Sequence, residues 1–406
     1  MPATLYFIDK YAGLEPGLGS TDSLLVFADD WGRHPSSAQH LVRHLLDRHP
    51  VYWVNTIGTR TPGFDWASVK RGFEKVRHWF RRSSLASAGD TNLHVLNPRM
   101  WPWFNSSSSR WLNRKLLMRQ LAPLLGALPE LPVAVTTIPL VSELIGLLPV
   151  RRWVYYCVDD FGQWPGLDQT TLQRMEKKLV DEADTIIAVS ETLQDRLARM
   201  GRSSHLLTHG VELDFWAKLP EGAGLAALEG VERPLVVFWG VLDRRMDTTF
   251  LERLSAAMAR GTIVLAGPAA DPDPALGRLP RVRQLGSLPF AQLPTLARGA
   301  AVLVMPYADL PVTRAIQPLK LKEYLATGKP VVVRDLPATR AWADCLDLAD
   351  TPEAFVRAVQ QRLATGLTAN QEAARARLAG EGWTEKARSF ERWVFGRETQ
   401  EELESR

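Results

Sequence analysis

Short, continuous apolar runs recur along the chain, and segments of helical character follow many of them. "LLVFA" (24–28), "VYWVN" (51–55), "LHVL" (93–96), "VAVTT" (133–137), "WVYYCV" (153–158), "TIIAVS" (185–190) and "HLLT" (205–208) form a first series. Helical patterns such as Ser37–Arg48 and Leu167–Ala183 lie between them. A strand that is apolar throughout, rather than at alternate positions, is covered on both faces. Such strands alternating with helices predict an α/β fold with mostly parallel sheets.

A second series follows "KLPEGAGLAALEGVERP" (218–234), whose Gly, Pro and Glu mark a linker. Its strands are "LVVFWG" (235–240), "TIVLAG" (262–267), "VRQLG" (282–286), "AVLVMP" (301–306) and "PVVVRD" (330–335). Its helices cover Thr248–Arg260, Ala291–Arg298 and Leu319–Thr327. At 406 residues the chain is too long for one ordinary core. The expected division is an N-terminal domain over 1–217, a second α/β domain over 218–381, and a helical segment over 382–406. In that segment Trp383, Ala387, Phe390 and Val394 share one helical face, and the polar tail is expected to fray. Ligands of doubly wound sheets bind beyond the carboxyl ends of the strands, so two such domains facing a central cleft would hold a ligand there.

The two cysteines, Cys157 and Cys345, lie far apart and read as reduced and structural, which fits a cytoplasmic protein. The N-terminus lacks a basic start followed by a long apolar core, so no signal peptide is expected. The most apolar region (121–150) is broken by five prolines and two glutamates. It reads as helix, strand and helix rather than a membrane span. The net charge of +4 says less than its distribution: between Val69 and Arg119 eleven Lys or Arg face only Glu74 and Asp90. Trp79, Trp101, Trp103 and Trp111 are interleaved with them. That pattern suits an anionic membrane surface. It also suits single-stranded nucleic acid, disfavoured here, or a solvated basic helix over core aromatics.

Several segments, in this order, resemble the group 1 (family 4-like) nucleotide-sugar glycosyltransferases of the GT-B fold. They are "EADTIIAVSETLQDRL" (182–197), "LLTHGVELDFW" (206–216), "LVVFWGVLDRR" (235–245), "VRQLGSLPFAQLPTLARGAAVLVMPY" (282–307) and "PLKLKEYLATGKPVV" (318–332). The resemblance spans about three quarters of the chain. It implies two Rossmann-like domains, an acceptor-binding one followed by a donor-binding one, and a terminal helix that crosses back to the first. It also implies a nucleotide-diphosphate sugar as co-substrate, with no separate cofactor.

On that resemblance Glu323 occupies the place of the ribose-binding glutamate, a role that suits a carboxylate able to accept from two vicinal hydroxyls. Lys320, at the helix start, would neutralise a phosphate, whereas Lys322 reads as solvated. Arg244 and Arg245 fill the slot after the first donor-domain strand, where the family carries a lysine; one of them would face the diphosphate. Asp247 is placed to cap the next helix. Gly240 and Gly286, which end donor-domain strands, are further donor-side candidates. Many members carry a second glutamate eight residues before the ribose glutamate; here that residue is Ala315, and Asp309, Thr313, Arg314 and Gln317 are the polar residues nearby.

The first domain would supply the acceptor site and any base. Asp30, Trp31 and Gly32 follow its first strand and are acceptor candidates, with Gly32 open to close approach. Asp159 and Asp160 follow the strand "WVYYCV". Family members often keep an acidic residue there, and inverting relatives of the xanthan glucuronosyltransferase type use an aspartate as base. Either residue could instead cap a helix or pair with a basic neighbour. His209 reads as a hinge residue. No grouping has metal-site spacing, so no metal is expected. The expected activity is sugar transfer from a UDP-sugar to a hydroxyl of a lipid-linked or glycan acceptor, at the inner face of the membrane. An epimerase or hydrolase of the same fold, or an idle nucleotide-binding subunit, are the alternatives.

Overall fold

The computed structural model describes residues 22–32, 36–57, 92–164, 167–217 and 225–397, with the backbone of 86–87. The chain divides into two compact units, one of Met1–Thr208 and Lys386–Arg406, the other of His209–Glu385.

The first unit is built on β1 (Leu24–Ala28), β2 (Val51–Asn55), β3 (Ala86–Ser87), β4 (Leu93–Leu96), β5 (Val133–Thr136), β6 (Arg152–Cys157), β7 (Thr185–Ala188) and β8 (His205–Leu206). They lie in the order β3-β4-β2-β1-β5-β6-β7-β8, parallel except for the β3–β4 pair. Leu24 stands opposite both Val51 and Val133, so β1 is central, and its five residues are all buried. The order reverses between β1 and β5, which places the crevice of this unit at the loops following those strands. Residues 121–150, expected as helix, strand and helix, contain the end of helix Ser107–Ala127, then β5, then a 3₁₀ turn at Pro139–Leu144. From Lys386 onward the terminal helix Trp383–Val394 belongs to this unit. There Trp393 stacks on His205 at 4.3 Å, and Glu391 binds Arg48 at 2.6 Å and His49 at 2.8 Å.

The second unit is built on β9 (Leu235–Trp239), β10 (Thr262–Ala266), β11 (Val282–Gly286), β12 (Val302–Met305), β13 (Val331–Arg334) and β14 (Asp347–Ala349). All are parallel, in the order β11-β10-β9-β12-β13-β14. The reversal falls between β9 and β12. β14 was not foreseen, because "DLA" is too short and polar to stand out as a strand.

The units divide at Thr208/His209, not in the Gly/Pro/Glu-rich run, of which 218–224 lie outside the described residues. The reason is packing. Val211 bridges Gly382, and Trp216, 1% exposed, stacks on Trp239 with centroids 5.4 Å apart and planes 8° off parallel. Phe215 stacks on Phe290 at 4.8 Å. Linker chemistry marks where a chain can bend; burial of Trp216 decides which core the segment joins. Trp216→Ala is therefore expected to destabilise the second unit by about 3–5 kcal/mol, the usual cost of emptying a buried aromatic site. Urea denaturation followed by β9 amide exchange would read this; a loss below about 1 kcal/mol would return residues 209–217 to the first domain, where the sequence reading put them.

Candidate functional site

In the second unit the loops after β9 and β12 open at the point where strand order reverses, and helix Leu319–Ala326 brings its first turn there. Pro318 occupies the N-cap, so the helix begins without a side-chain cap and its first N–H groups are left for other partners. Lys320 extends its ammonium to the end of β9. A Cβ on Gly240, whose φ is +141°, would collide with it. A Cβ on Gly267, after β10, would in turn collide with the carbonyl oxygen of Gly240. The two strand ends and the lysine thus meet at a closeness that only glycine permits.

The Lys320 ammonium donates to the Tyr307 hydroxyl and lies 4.7 Å from the centroid of Phe238 and 5.0 Å from that of Tyr307. Arg245 lies over the same Tyr307 ring at 5.8 Å, its guanidinium held in a fork by buried Asp243 at 2.7 and 3.0 Å. One turn along the helix, Glu323 accepts from the indole N–H of Trp239 at 3.3 Å. Burial pushes the Glu323 carboxyl up to about 7, against the opposing pull of that hydrogen bond and of the Lys320 charge. Tyr324, beside it, accepts from the backbone N–H of Trp239 at 3.0 Å.

Gly240, Arg245, Lys320 and Glu323 are thus gathered around the ends of β9 and β12. The other donor-side candidates stand differently. Arg244 is exposed and forks onto Asp271 after β10. Gln317 is engaged by its side-chain oxygen, which accepts from the backbone N–H of His209. Gly286 ends the edge strand β11 with φ +70°. In the loop after β12, Thr313 is buried and bonds to Leu310 and Ala308, while Arg314 pairs with Asp309 at 2.5 Å. Ala315 is itself buried. Asp247 caps helix Thr248–Ala257 through the N–H of Thr249.

Lys322 corrects the sequence reading. It is not solvated: it is 3% exposed, with its ammonium on the Glu381 carboxylate at 2.6 Å and on the carbonyl of His209. It points to the opposite side of the helix from Lys320, but into segments that the sequence places far away.

In the first unit Asp159 and Asp160 both follow β6, and the structure separates them. Asp160 is buried, with its carboxylate 3.5 Å from Arg196, which also holds buried Glu176. Burial raises its pKa, the Arg196 charge opposes the rise, and Glu176 adds to it. Glu176 in turn accepts from Tyr155 at 2.7 Å. Asp160 is therefore part of an internal ion cluster, whereas Asp159 is only half-buried. The helix cap that either was free to supply comes from Asp168, through the N–H of Thr171 at 3.1 Å. Burial raises the Cys157 thiol in the same cluster to about 12, so it stays protonated.

The loop after β1 is strapped by residues that sequence reasoning did not single out. Gln39, 1% exposed, accepts from Gly32 N–H at 3.1 Å and donates to the Asp30 carbonyl at 3.4 Å. Asn55, at the end of β2, accepts from Trp31 N–H at 2.9 Å and donates to Asn97 at 2.8 Å. Trp31 packs edge-on against Trp53 with Arg43 over its ring, and Gly32 is exposed with φ +76°. The only signal for these straps was an asparagine directly after an apolar strand. Among the described residues no group of three His, Cys, Asp or Glu could hold a metal ion, and no helix is long and apolar enough to cross a membrane.

Residues 233–365 match the family model described as glycosyl transferases group 1. A Bacillus subtilis (strain 168) protein named "Putative teichuronic acid biosynthesis glycosyltransferase TuaH" is 29% identical over 176 residues, 41% of this chain and 44% of that protein. The chain thus matches less than half the length of that relative. Among solved structures, sucrose-phosphate synthase from Thermosynechococcus elongatus gives a TM-score of 0.68 at 15% identity, covering 93% of this chain and all of that one. A UDP-forming α,α-trehalose-phosphate synthase from Burkholderia vietnamiensis gives 0.65 at 16%, covering 93% and 99%. Anabaena HepE in complex with UDP and glucose gives 0.62 at 14%, covering 92% and 100%. At these identities the likeness is one of fold: two parallel sheets with interleaved helices.

Lys322→Ala would leave the His209 carbonyl and the Glu381 carboxylate without their cation. The expected cost is about 2–4 kcal/mol in urea denaturation, since a broken, largely buried pair leaves its partner desolvated. A change within 0.5 kcal/mol would mean that the lysine behaves as a solvated side chain after all.

Proposed function

We propose that this chain, whose second unit carries a group 1 glycosyltransferase domain, transfers a sugar from a nucleotide-diphosphate donor to an acceptor hydroxyl. The observation that carries the reading is the convergence of Lys320, Arg245 and Glu323 on the glycine-lined end of β9 and β12. Lys320 at a helix start and Arg245 in the loop after β9 suit a diphosphate. A carboxylate one turn further along suits the vicinal hydroxyls of a ribose. UDP is the favoured nucleotide, in keeping with the UDP-bound structure that shares the fold. No metal enters the proposal, because lysine and arginine supply the charge that a leaving diphosphate needs.

The first unit is proposed to hold the acceptor near Asp30, Trp31 and Gly32, with Asp159 as the acid-base candidate. Asp160 is better read as support, since Arg196 and Glu176 hold it inside. The likeness to a protein named for teichuronic acid biosynthesis supports a cell-surface glycan as the product class. A second reading, a nucleotide-binding subunit without turnover, is favoured by one observation: buried Ala315 offers no carboxylate to the donor sugar. UDP release from a panel of UDP-sugars, with and without membrane extract, separates the readings. Release that requires extract supports transfer, release without it supports hydrolysis, and binding without release supports the idle subunit. Asp159→Asn is expected to lower turnover about 10²- to 10⁴-fold at unchanged UDP affinity. Near-normal turnover in that variant would move the base elsewhere.

A lipid-linked acceptor would be met at a membrane surface. Of the basic segment 69–119, residues up to 91 lie largely outside the described ones, Arg77, Arg81 and Arg82 among them. The described part supports the reading. Asn113 and Gln120 clamp the backbone of Trp101, Trp103 and Arg99 along helix Ser107–Ala127. Trp101 and Trp111 are left 38% and 53% exposed. Trp111, Lys115 and Arg119 form one exposed stripe along the helix. Between residues 92 and 131, Arg99, Arg114, Lys115 and Arg119 reach solvent and face a single acid, Glu130, while Arg110 is buried and paired with Glu143. Each such cation contributes about 1 kcal/mol at an anionic surface, screened by salt, and the tryptophans add a term that salt does not remove. The protein is expected to sediment with anionic vesicles, less so at high salt, and the double variant W101S/W111S to sediment several-fold less. Equal sedimentation of the two proteins would make this an ordinary basic surface.

A further inference from the structure

A residue at the end of β9 is tied to the helix Leu319–Ala326 through a side-chain hydrogen bond. Trp239, the last residue of β9, is 3% exposed and belongs to the core by burial, yet its indole N–H is spent on a carboxylate of the site. Its ring is held by two aromatic neighbours and its backbone by a hydroxyl. Trp216 lies parallel to it at 5.4 Å, and Tyr324 meets it edge-on at 4.2 Å. The Tyr324 hydroxyl accepts from its backbone N–H at 3.0 Å and reaches its carbonyl at 3.3 Å. A ring held this firmly has one direction for its N–H, and that direction is Oε2 of Glu323. An indole is a donor only, so it selects an acceptor oxygen.

We infer that Trp239 is a positioning residue for the donor site: its indole N–H orders Glu323 by one oxygen and leaves the other to accept from the ribose hydroxyls. The inference rests on the donor-site reading given above and adds a residue that the helix itself does not contain. An aromatic residue filling the same space without an N–H would pack equally well but would leave Glu323 less defined and its ionised form less favoured. The groups facing the Glu323 carboxyl are Trp239 from β9, Lys320 from its own helix, and the phenol of neighbouring Tyr324. Lys320 and Trp239 favour the carboxylate, and burial opposes it. The carboxylate is the better acceptor for two hydroxyls, so nucleoside affinity should rise as pH passes through about 7 and level off above.

The test is uridine binding by calorimetry between pH 6 and 9; uridine carries no phosphate to titrate in the same range. For the natural protein, affinity is expected to increase several-fold across this range. In Glu323→Gln the pH dependence should vanish and affinity should fall. In Trp239→Phe the rise should move to higher pH by about one unit, the worth of one charge-assisted hydrogen bond. Affinity should then be several-fold lower at pH 7 and recover towards the natural value at pH 9. A uniform loss at every pH would mean that Trp239 only packs, and would overturn the inference. Unchanged uridine affinity in Glu323→Gln would overturn the donor-site reading itself, and the inference with it. Should Trp239→Phe not fold, ¹⁵N-indole spectra of the natural protein and of Glu323→Gln decide the matter. One indole N–H resonance should follow the Glu323 titration in the natural protein and lose it in the variant; no titrating indole would overturn the inference.

Discussion

The ammonium of Lys320 sits where no side chain on residue 240 could be. That single closeness organises the second unit. The backbone at Gly240, with φ +141°, calls for glycine there, and Gly240 in turn requires glycine at Gly267, because the carbonyl of one occupies the space a Cβ of the other would fill. Tyr307 receives the ammonium through its hydroxyl and carries Arg245 on its ring. Buried Asp243 fixes that arginine from behind. Two cations brought this near to each other repel, and each is held by a neutral or anionic partner that makes the arrangement tolerable. On the proposed reading a diphosphate would lie at these strand ends beside the Lys320 ammonium.

On the far side of the same helix Lys322 performs the opposite task. Its charge is consumed internally, by Glu381 and the His209 carbonyl. Those partners lie just inside the limits of the second unit, next to Thr208 and Lys386. One helix thus uses alternate lysines for two ends: Lys320 faces the open strand ends, and Lys322 secures the chain where it enters and leaves the unit.

Much of this was legible in the sequence, and the exceptions share a cause. Strands such as "LLVFA" and "LVVFW" declare themselves because burial on both faces leaves no polar position. That Glu323 and Lys320 meet at the strand ends was legible through a motif whose spacing sets them about one turn apart. Lys322 was not, because a charged residue on a helix reads as solvated until a distant carboxylate such as Glu381 is known to lie beside it. Asp159 and Asp160 are indistinguishable in "VDD"; only the approach of Arg196 from another helix tells the buried one from the half-buried one. The division of the units at Thr208/His209 was not legible for the same reason: Gly and Pro were visible in the linker, but the stack of Trp216 on Trp239 was not. Gln39, which straps the loop after β1, carries no local pattern at all, and Asn55 only its place at the end of an apolar strand.

The central claim is that Lys320 serves a diphosphate and not the fold alone. Calorimetry of Lys320→Ala with UDP and with uridine tests it most directly. A lysine that binds phosphate contributes a charge-assisted interaction of about 1.5–3 kcal/mol, so at a pH well above the Glu323 titration, where that carboxyl is ionised with or without the lysine, UDP affinity should fall roughly 10- to 100-fold while uridine affinity stays within about two-fold. Equal losses for both ligands, or none for UDP, would contradict the account and leave Lys320 as a structural cation at the end of β9.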